Sequence, residues 1–250
     1  MKPGLDVWIV KIGVALSGCD IGGVCAFRVL EELEAQGLEI GMISCCAVPT
    51  TTSLFFARGC PSDTLRRLAG NFLSDARALD MDWALANLSV SLLAQERRRA
   101  IPAAVNAVNI PDSKIVTFTD DFALDTGGVR TFSLIDAYDA FSATMGEVAG
   151  MDDYQYEGFR LCDFSVRYGN PTYPLKMQGF QGILSVSFLP ATPRTPYELM
   201  IGRMIAGTQS LSDMHIPLCF EQGLELEEYS KIAVHTIQSC MPEIYERLLF

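Results

Sequence analysis

A β-rich run, Leu38 to Ile43, gives way almost at once to a helix-like run, Thr51 to Arg58, which stops at Gly59. The segment joining them is Met42-Ile-Ser-Cys-Cys-Ala-Val-Pro-Thr50, so strand and helix must meet in a sharp turn. A turn of this kind presents one side chain at the carboxyl end of a sheet strand, as in a nucleophile elbow. The best-placed residue here is Ala47. Its methyl can neither attack a carbonyl nor release a proton. The scaffold suggests a hydrolase from which the attacking atom is missing.

Around this turn, strands alternate with helices, which implies a sheet covered on both faces. Val7 to Leu16 is a near-continuous apolar run and reads as a central parallel strand. It resembles the apolar core of a leader peptide, but Lys11 interrupts it and a Gly-rich turn follows, so a buried strand is expected instead. That turn, Ser17-Gly-Cys-Asp-Ile-Gly-Gly23, opens a helix over Val24 to Gln36. Val24, Phe27, Leu30 and Leu33 share one face of it, and Gly37 is the expected C-cap. Pro49 suits the first turn of the elbow helix, where its missing N–H needs no partner.

Ser62 to about Val108 reads as helical, with Arg97-Arg-Arg99 on a solvated face. Ile115 to Thr119 and Val129 to Leu134 are expected strands flanking a hairpin-like turn, Thr126-Gly-Gly128. Asp136 to Ala149 is an expected helix, and Tyr156 to Cys162 and Gly182 to Phe188 are further strands. The tail predicts a helix at Tyr197 to Ala206, a short strand near His215 to Cys219, and a helical region at Glu227 to Leu248 that Pro242 kinks or splits. The expectation is one α/β domain over residues 1–250, with a mainly parallel sheet between helices.

Composition narrows the function. A net charge of −11 opposes nucleic acid, whose phosphates need Lys and Arg to displace counterions. It also opposes a standing attraction to anionic lipid, and no run of about 18 apolar residues marks a membrane span. The 8 cysteines form no C-x-x-C pair and no Cys/His cluster, so neither a metal site nor a cofactor is expected. Free cysteines point to a reducing, cytoplasmic setting.

Three segments then fall in a telling order. First is Gly13-Val-Ala-Leu-Ser-Gly-Cys-Asp-Ile-Gly-Gly-Val-Cys-Ala-Phe-Arg-Val-Leu30, a strand, a Gly-rich turn and a helix. Second is the elbow. Third is Phe159-Arg-Leu-Cys-Asp-Phe-Ser-Val-Arg-Tyr-Gly-Asn-Pro171, a strand with an Asp-led turn. Together they resemble the patatin-like phospholipase family, which carries G-G-G-x-R-G, then G-x-S-x-G, then D-G-G or D-G-A. Ala137-Tyr-Asp-Ala-Phe-Ser-Ala143 is similar to the family's A-x-x-A-S-x-A helix, with its Ser one place late. Ser185-Val-Ser-Phe188 is similar to its closing strand.

The resemblance implies a Ser–Asp dyad acting on an acyl ester, with amides of the Gly-rich turn holding the oxyanion. Carried over, the Ser position is Ala47, its flanking glycines are Cys45 and Pro49, and the dyad Asp is Asp163. The two small residues after the Asp become Phe164 and Ser165. In the turn Gly18 and Gly23 survive, two glycines become Cys19 and Asp20, and the Arg becomes Gly22. An oxyanion donor contributes roughly 3 kcal/mol in a hydrolase, and a carboxylate at Asp20 opposes that charge.

Two functions follow from the resemblance. One is an inactive homologue that binds an acyl or lipid-like ligand, or pairs with itself or an active relative. A pocket lined by Ala47, Val48 and Phe55 needs no catalytic group for that. The other is an active acyl hydrolase or acyltransferase with a displaced nucleophile, Ser44, Cys45 or Cys46, working with Asp163. A thiolate needs a cationic or basic partner at neutral pH. The chain has only His215 and His235, and neither can be joined to a cysteine from sequence.

Overall fold

The computed structural model describes residues 11–78, 80–99, 101–123, 128–134, 137–145 and 153–249. Val7 to Val10, the turn residues Thr126 and Gly127, and both ends of the expected helix at Asp136 to Ala149 lie outside them. One mixed sheet runs in the order β5-β4-β3-β2-β1-β8-β9. Its centre is β1 (Lys11–Ser17), paired in parallel with β2 (Glu39–Cys45) and β8 (Ile183–Pro190). β9 (Met214–Phe220) extends it in parallel beyond β8. On the other side β2 pairs in parallel with β3 (Ala103–Asn109), which turns antiparallel to β4 (Ile115–Phe118), and β5 (Val129–Phe132) closes that edge.

β3 also holds the element that matters most for the site. Its first residues pair with β2, as Cys45↔Val105, and its last pair antiparallel with β7 (Phe159–Asp163), as Ala107↔Asp163. The strand that carries the elbow and the strand that carries the late Asp therefore run end to end along one neighbour. A short β6 (Tyr154–Tyr156) forms a hairpin with β7 through Glu157 and Gly158, both at positive φ.

Helices cover both faces. α1 (Ala26–Ala35) buries Phe27, Val29, Leu30 and Leu33 and packs on α9 (Leu226–Leu249). A 3-10 turn, Ile21–Cys25, precedes α1, so the expected helix start at Val24 lies in tighter geometry. Gly37 ends the helix region at φ +85. α2 (Thr50–Ala57) follows Pro49 and is buried along its whole length. α3 (Ser62–Arg77) and α4 (Met81–Leu93) stack beside it, and α5 (Ala137–Met145) packs on β3 and α4. Two short helices, α6 (Ser165–Tyr168) and α7 (Tyr173–Met177), precede β8, and α8 (Pro196–Thr208) packs on α6 and β8.

Two expectations require correction. Residues 103–109 form a fully buried strand, not the end of a helical region. Ala103-Ala-Val-Asn-Ala-Val-Asn109 has little intrinsic β preference, but its place between β2, β4 and β7 decides the matter. Arg97-Arg-Arg99 is likewise outside any helix, with Arg97 paired to Asp121 and Arg99 to Glu34. α9 runs unbroken through Pro242 instead of splitting there. Pro242 lies on the exposed side, where water can satisfy the carbonyl that its ring leaves unbonded.

Candidate functional site

The chain between β2 and α2 makes the sharp turn expected, and Ala47 is its apex. Ala47 sits at φ +53, in the left-handed region that alanine rarely enters. Three contacts hold it there. Its N–H donates to Thr144 Oγ1 at 2.8 Å, its carbonyl accepts from Thr50 N at 3.1 Å, and Cys46 N donates to Leu16 O at 3.0 Å. Thr144, on α5, in turn donates to Asn106 O at 2.8 Å, which ties the apex to β3.

Asp163 ends β7 close to this turn and is fully buried. Its Oδ1 accepts from Ser165 N at 2.9 Å, and its Oδ2 accepts from the Tyr197 hydroxyl at 2.7 Å. Ser165 Oγ lies 3.2 Å from Cys46 Sγ, so the late Asp, its turn and the elbow form one cluster. Burial outweighs these hydrogen bonds and pushes the Asp163 carboxyl up to about 6. The Tyr197 hydroxyl is raised far above its usual value by burial and then by Asp163, so it remains a donor.

The Gly-rich turn sits opposite. Asp20 Oδ1 accepts from Gly22 N at 2.7 Å, and Asp20 O accepts from Gly23 N at 2.9 Å. The Asp20 N–H donates to Phe188 O at 3.2 Å. The turn amides of Asp20, Gly22 and Gly23 are therefore occupied by the chain itself. Burial raises the Asp20 carboxyl to about 6. Cys19 lies at the rim, where burial and then the charges of Asp163, Glu198 and Asp20 push its thiol up to about 12.

The residues proposed as displaced nucleophiles fare no better. Ser44 is fully buried and accepts from Asn106 Nδ2 at 3.0 Å. Cys45 points at Ala104 O, 3.4 Å away, and burial raises it to about 12. Cys46 is also fully buried; burial first and Asp163 second hold its thiol well above the usual range. A thiolate at either position is disfavoured, because nothing cationic compensates the lost solvation. Native-state labelling with iodoacetamide should therefore modify the exposed Cys219 while Cys45 and Cys46 react at least about a hundredfold more slowly. Peptide mass spectrometry reads this directly. Fast labelling at Cys46 that Asp163→Asn slows would reveal an activated thiol instead.

The apolar pocket expected around Ala47, Val48 and Phe55 is closed: all three are fully buried. They pack in the core, where α2 is buried on every side. Open grooves lie between α3 and α4, of about 440 Å³, at the start of α8 beside Pro193, Thr195 and Leu199, of about 420 Å³, and between α1 and α9, of about 330 Å³. His215 joins no cysteine; its ring nitrogens face Ser185 Oγ at 2.8 Å and Ser187 Oγ at 3.3 Å. Among the described residues no cluster of His, Cys, Asp and Glu is placed to hold a metal ion. No helix among them is long and apolar enough to cross a membrane.

Sequence reading missed Tyr197 and Thr144. Each reaches the site from another part of the chain and carries no local signature. Ser165 was visible only as the residue standing where a small one is expected.

No family model matches the chain, and no curated protein matches it in sequence. Solved structures do. The heterodimeric ExoU–SpcU complex from the type III secretion system of Pseudomonas aeruginosa aligns at TM-score 0.45 and 11% identity, over 97% of this chain and 52% of that one, so the chain spans about half its length. VipD from Legionella pneumophila aligns at TM-score 0.57 and 9% identity, over 96% of this chain and 67% of that one. At such identity the likeness concerns fold alone, and the fold is patatin-like: a mainly parallel central sheet flanked by helices, with the elbow and the late Asp meeting at the end of β2.

Proposed function

We propose that the chain is a catalytically silent patatin-like protein that acts by binding, in a regulatory or partner-directed role. The observation that carries this reading is that the chain occupies its own reactive site. A methyl stands at the apex, Thr144 takes the apex amide, Asp20 takes a turn amide, and Tyr197 and Ser165 take both oxygens of Asp163. An acyl group would find neither a nucleophile nor a free oxyanion donor among these groups. Closure of the space around Ala47 favours a partner at the surface over an acyl chain in the cleft. The 8 free thiols support a reducing, cytoplasmic setting.

The test is hydrolysis of a short-chain p-nitrophenyl ester, with a fluorophosphonate probe alongside. The chain should turn over ester no faster than buffer and take no label. Ala47→Ser, which supplies the missing hydroxyl, should stay within about twofold of the parent rate, because Asp163 and the apex amide keep their present partners. Turnover in the parent chain that Cys46→Ala or Asp163→Asn abolishes would establish the displaced-nucleophile enzyme instead.

A further inference from the structure

α4 is apolar on two sides, and only one of them is covered. Ala84, Leu85, Leu88 and Leu92 face the core. On the opposite side Trp83, Val90 and Leu93 are 59%, 69% and 59% exposed, with Ala86 half-buried between them. The positions 83, 86, 90 and 93 are spaced by three, four and three, the a/d spacing of a helix–helix seam. A lone exposed Leu needs no explanation, but a seam with a Trp at one end does.

Two properties of this face indicate what covers it. The seam is symmetric about Leu88: a second α4 laid antiparallel sets Trp83 against Leu93 and Ala86 against Val90, a large side chain near a medium one and a small one near a branched one. The charges at the two ends of α4 differ. Asp75, Asp80 and Asp82 surround its N-terminus. At its C-terminus Arg58 donates to Leu92 O at 2.9 Å and is faced by Asp120 and Asp121, so the basic group left over is Arg98, which the bond from Arg98 N to Arg58 O at 3.0 Å sets beside it. In an antiparallel pair the acidic end of each copy meets Arg98 of the other, and the two helix dipoles also oppose favourably. A surface complementary to itself under a two-fold axis is what an isologous dimer requires.

We propose that α4 is a homodimer interface in which two copies pair antiparallel through Trp83, Ala86, Val90 and Leu93. The adjoining groove between α3 and α4, lined by Asn71, Asp75, Asn87 and Ser91 over a floor of Phe72 and Leu88, with Val90 at its rim, adds polar surface to the contact. A stable dimer buries about 800 Å² per subunit, more than four side chains supply, so the pairing is weak, with a dissociation constant on the order of 10–100 µM. The pairing does not depend on whether the elbow is silent, since α4 contributes no residue to the elbow cluster. A monomer would leave the silent-enzyme reading standing, and ester turnover would leave the dimer standing.

Sedimentation equilibrium of the full chain over roughly 1–300 µM tests it. The mass should rise with concentration from 27.4 kDa towards twice that value. Val90→Arg, at an exposed position that tolerates a long polar side chain, should stay monomeric throughout with an unchanged thermal melt. Asp82→Arg and Arg98→Asp should each weaken dimerisation about tenfold, and the two together should restore it to within about threefold of the parent. A chain that stays monomeric at 300 µM, a dimer indifferent to Val90→Arg, or a double variant no better than either single one would overturn the proposal. A monomer that sediments with neutral phosphatidylcholine vesicles, and loses this with Val90→Arg, would assign the face to a membrane and overturn it as well.

Discussion

Gly18→Ala should leave too little folded protein to purify, or lower the unfolding free energy by at least about 4 kcal/mol where it can be measured. Gly18 sits at φ +121, and a Cβ there would lie 2.1 Å from Phe188 O and 2.6 Å from Phe188 N. Neither obstacle is a side-chain tip that could rotate away. Both belong to the backbone of β8, the strand paired with β1 at the centre of the sheet. Relief would mean moving a central strand or breaking the bond from Asp20 N to Phe188 O. Gly37→Ala is the control. Its φ is +85, but nothing lies within 4 Å of the new methyl, so only the conformational penalty of about 1 kcal/mol applies. Urea unfolding of both variants separates the two effects. A Gly18→Ala chain within 1 kcal/mol of the Gly37→Ala chain would show that the turn is not locked onto β8.

That contrast explains which glycines the turn has kept. Gly18 is fixed by Phe188, and Gly23 by Pro49, whose Cδ would be 2.8 Å from an added Cβ. Gly22 faces the Tyr229 ring at 2.5 Å on the same construction. All three are required by packing: Gly18 and Gly23 where the resemblance expects glycine, and Gly22 where it expects Arg. The positions free of such constraint hold Cys19 and Asp20. Survival of glycine in this turn is thus evidence about the fold and carries no weight for an oxyanion site.

The same distinction separates what could be read in the sequence from what could not. The elbow and the late Asp were legible because each is a local event: a strand, a tight turn and a helix written in consecutive residues. Their meeting was legible only through the resemblance, since β3 brings them together and residues 103–109 read as helix. The groups that occupy the site were not legible at all. Tyr197 enters from α8 and Thr144 from α5, and nothing in Thr-Pro-Tyr-Glu or Ala-Thr-Met announces a hydrogen bond to a residue far away in the chain. Closure of the apolar pocket was equally hidden, because Val48 and Phe55 look the same in sequence whether they line a cavity or fill one.

Asp163→Asn should stabilise the chain at pH 7.5 by about 3 kcal/mol, roughly 6–12 °C in Tm for a protein of this size, and should do nothing at pH 4. The sign follows from the direction of the shift. Burial lifts the Asp163 carboxyl from 3.8 to about 6, so the folded state holds its proton more tightly than the unfolded state does. Below about pH 4 the group is neutral in both states and costs nothing. Between about 4 and 6 the unfolded chain ionises first, and stability falls as pH rises. Above 6 the full penalty of a buried carboxylate remains. Asparagine removes the charge and keeps the contacts, since its oxygen still accepts from Ser165 N and its amide can donate to the Tyr197 oxygen. Asp20 is raised to about 6 as well, so the parent chain should gain stability on acidification from pH 7.5 to 5, and the variant should keep part of that slope. Thermal melts of both chains at pH 4, 5, 6 and 7.5 decide it. A variant less stable than the parent at pH 7.5 would mean that the carboxylate stabilises the fold. A gain that persists at pH 4 would mean that charge is not its cause. The expected result fits a site in which a carboxylate is kept at a cost to stability while its oxygens face Tyr197, Ser165 and a Cys46 thiol that burial and that same carboxylate hold in its protonated form.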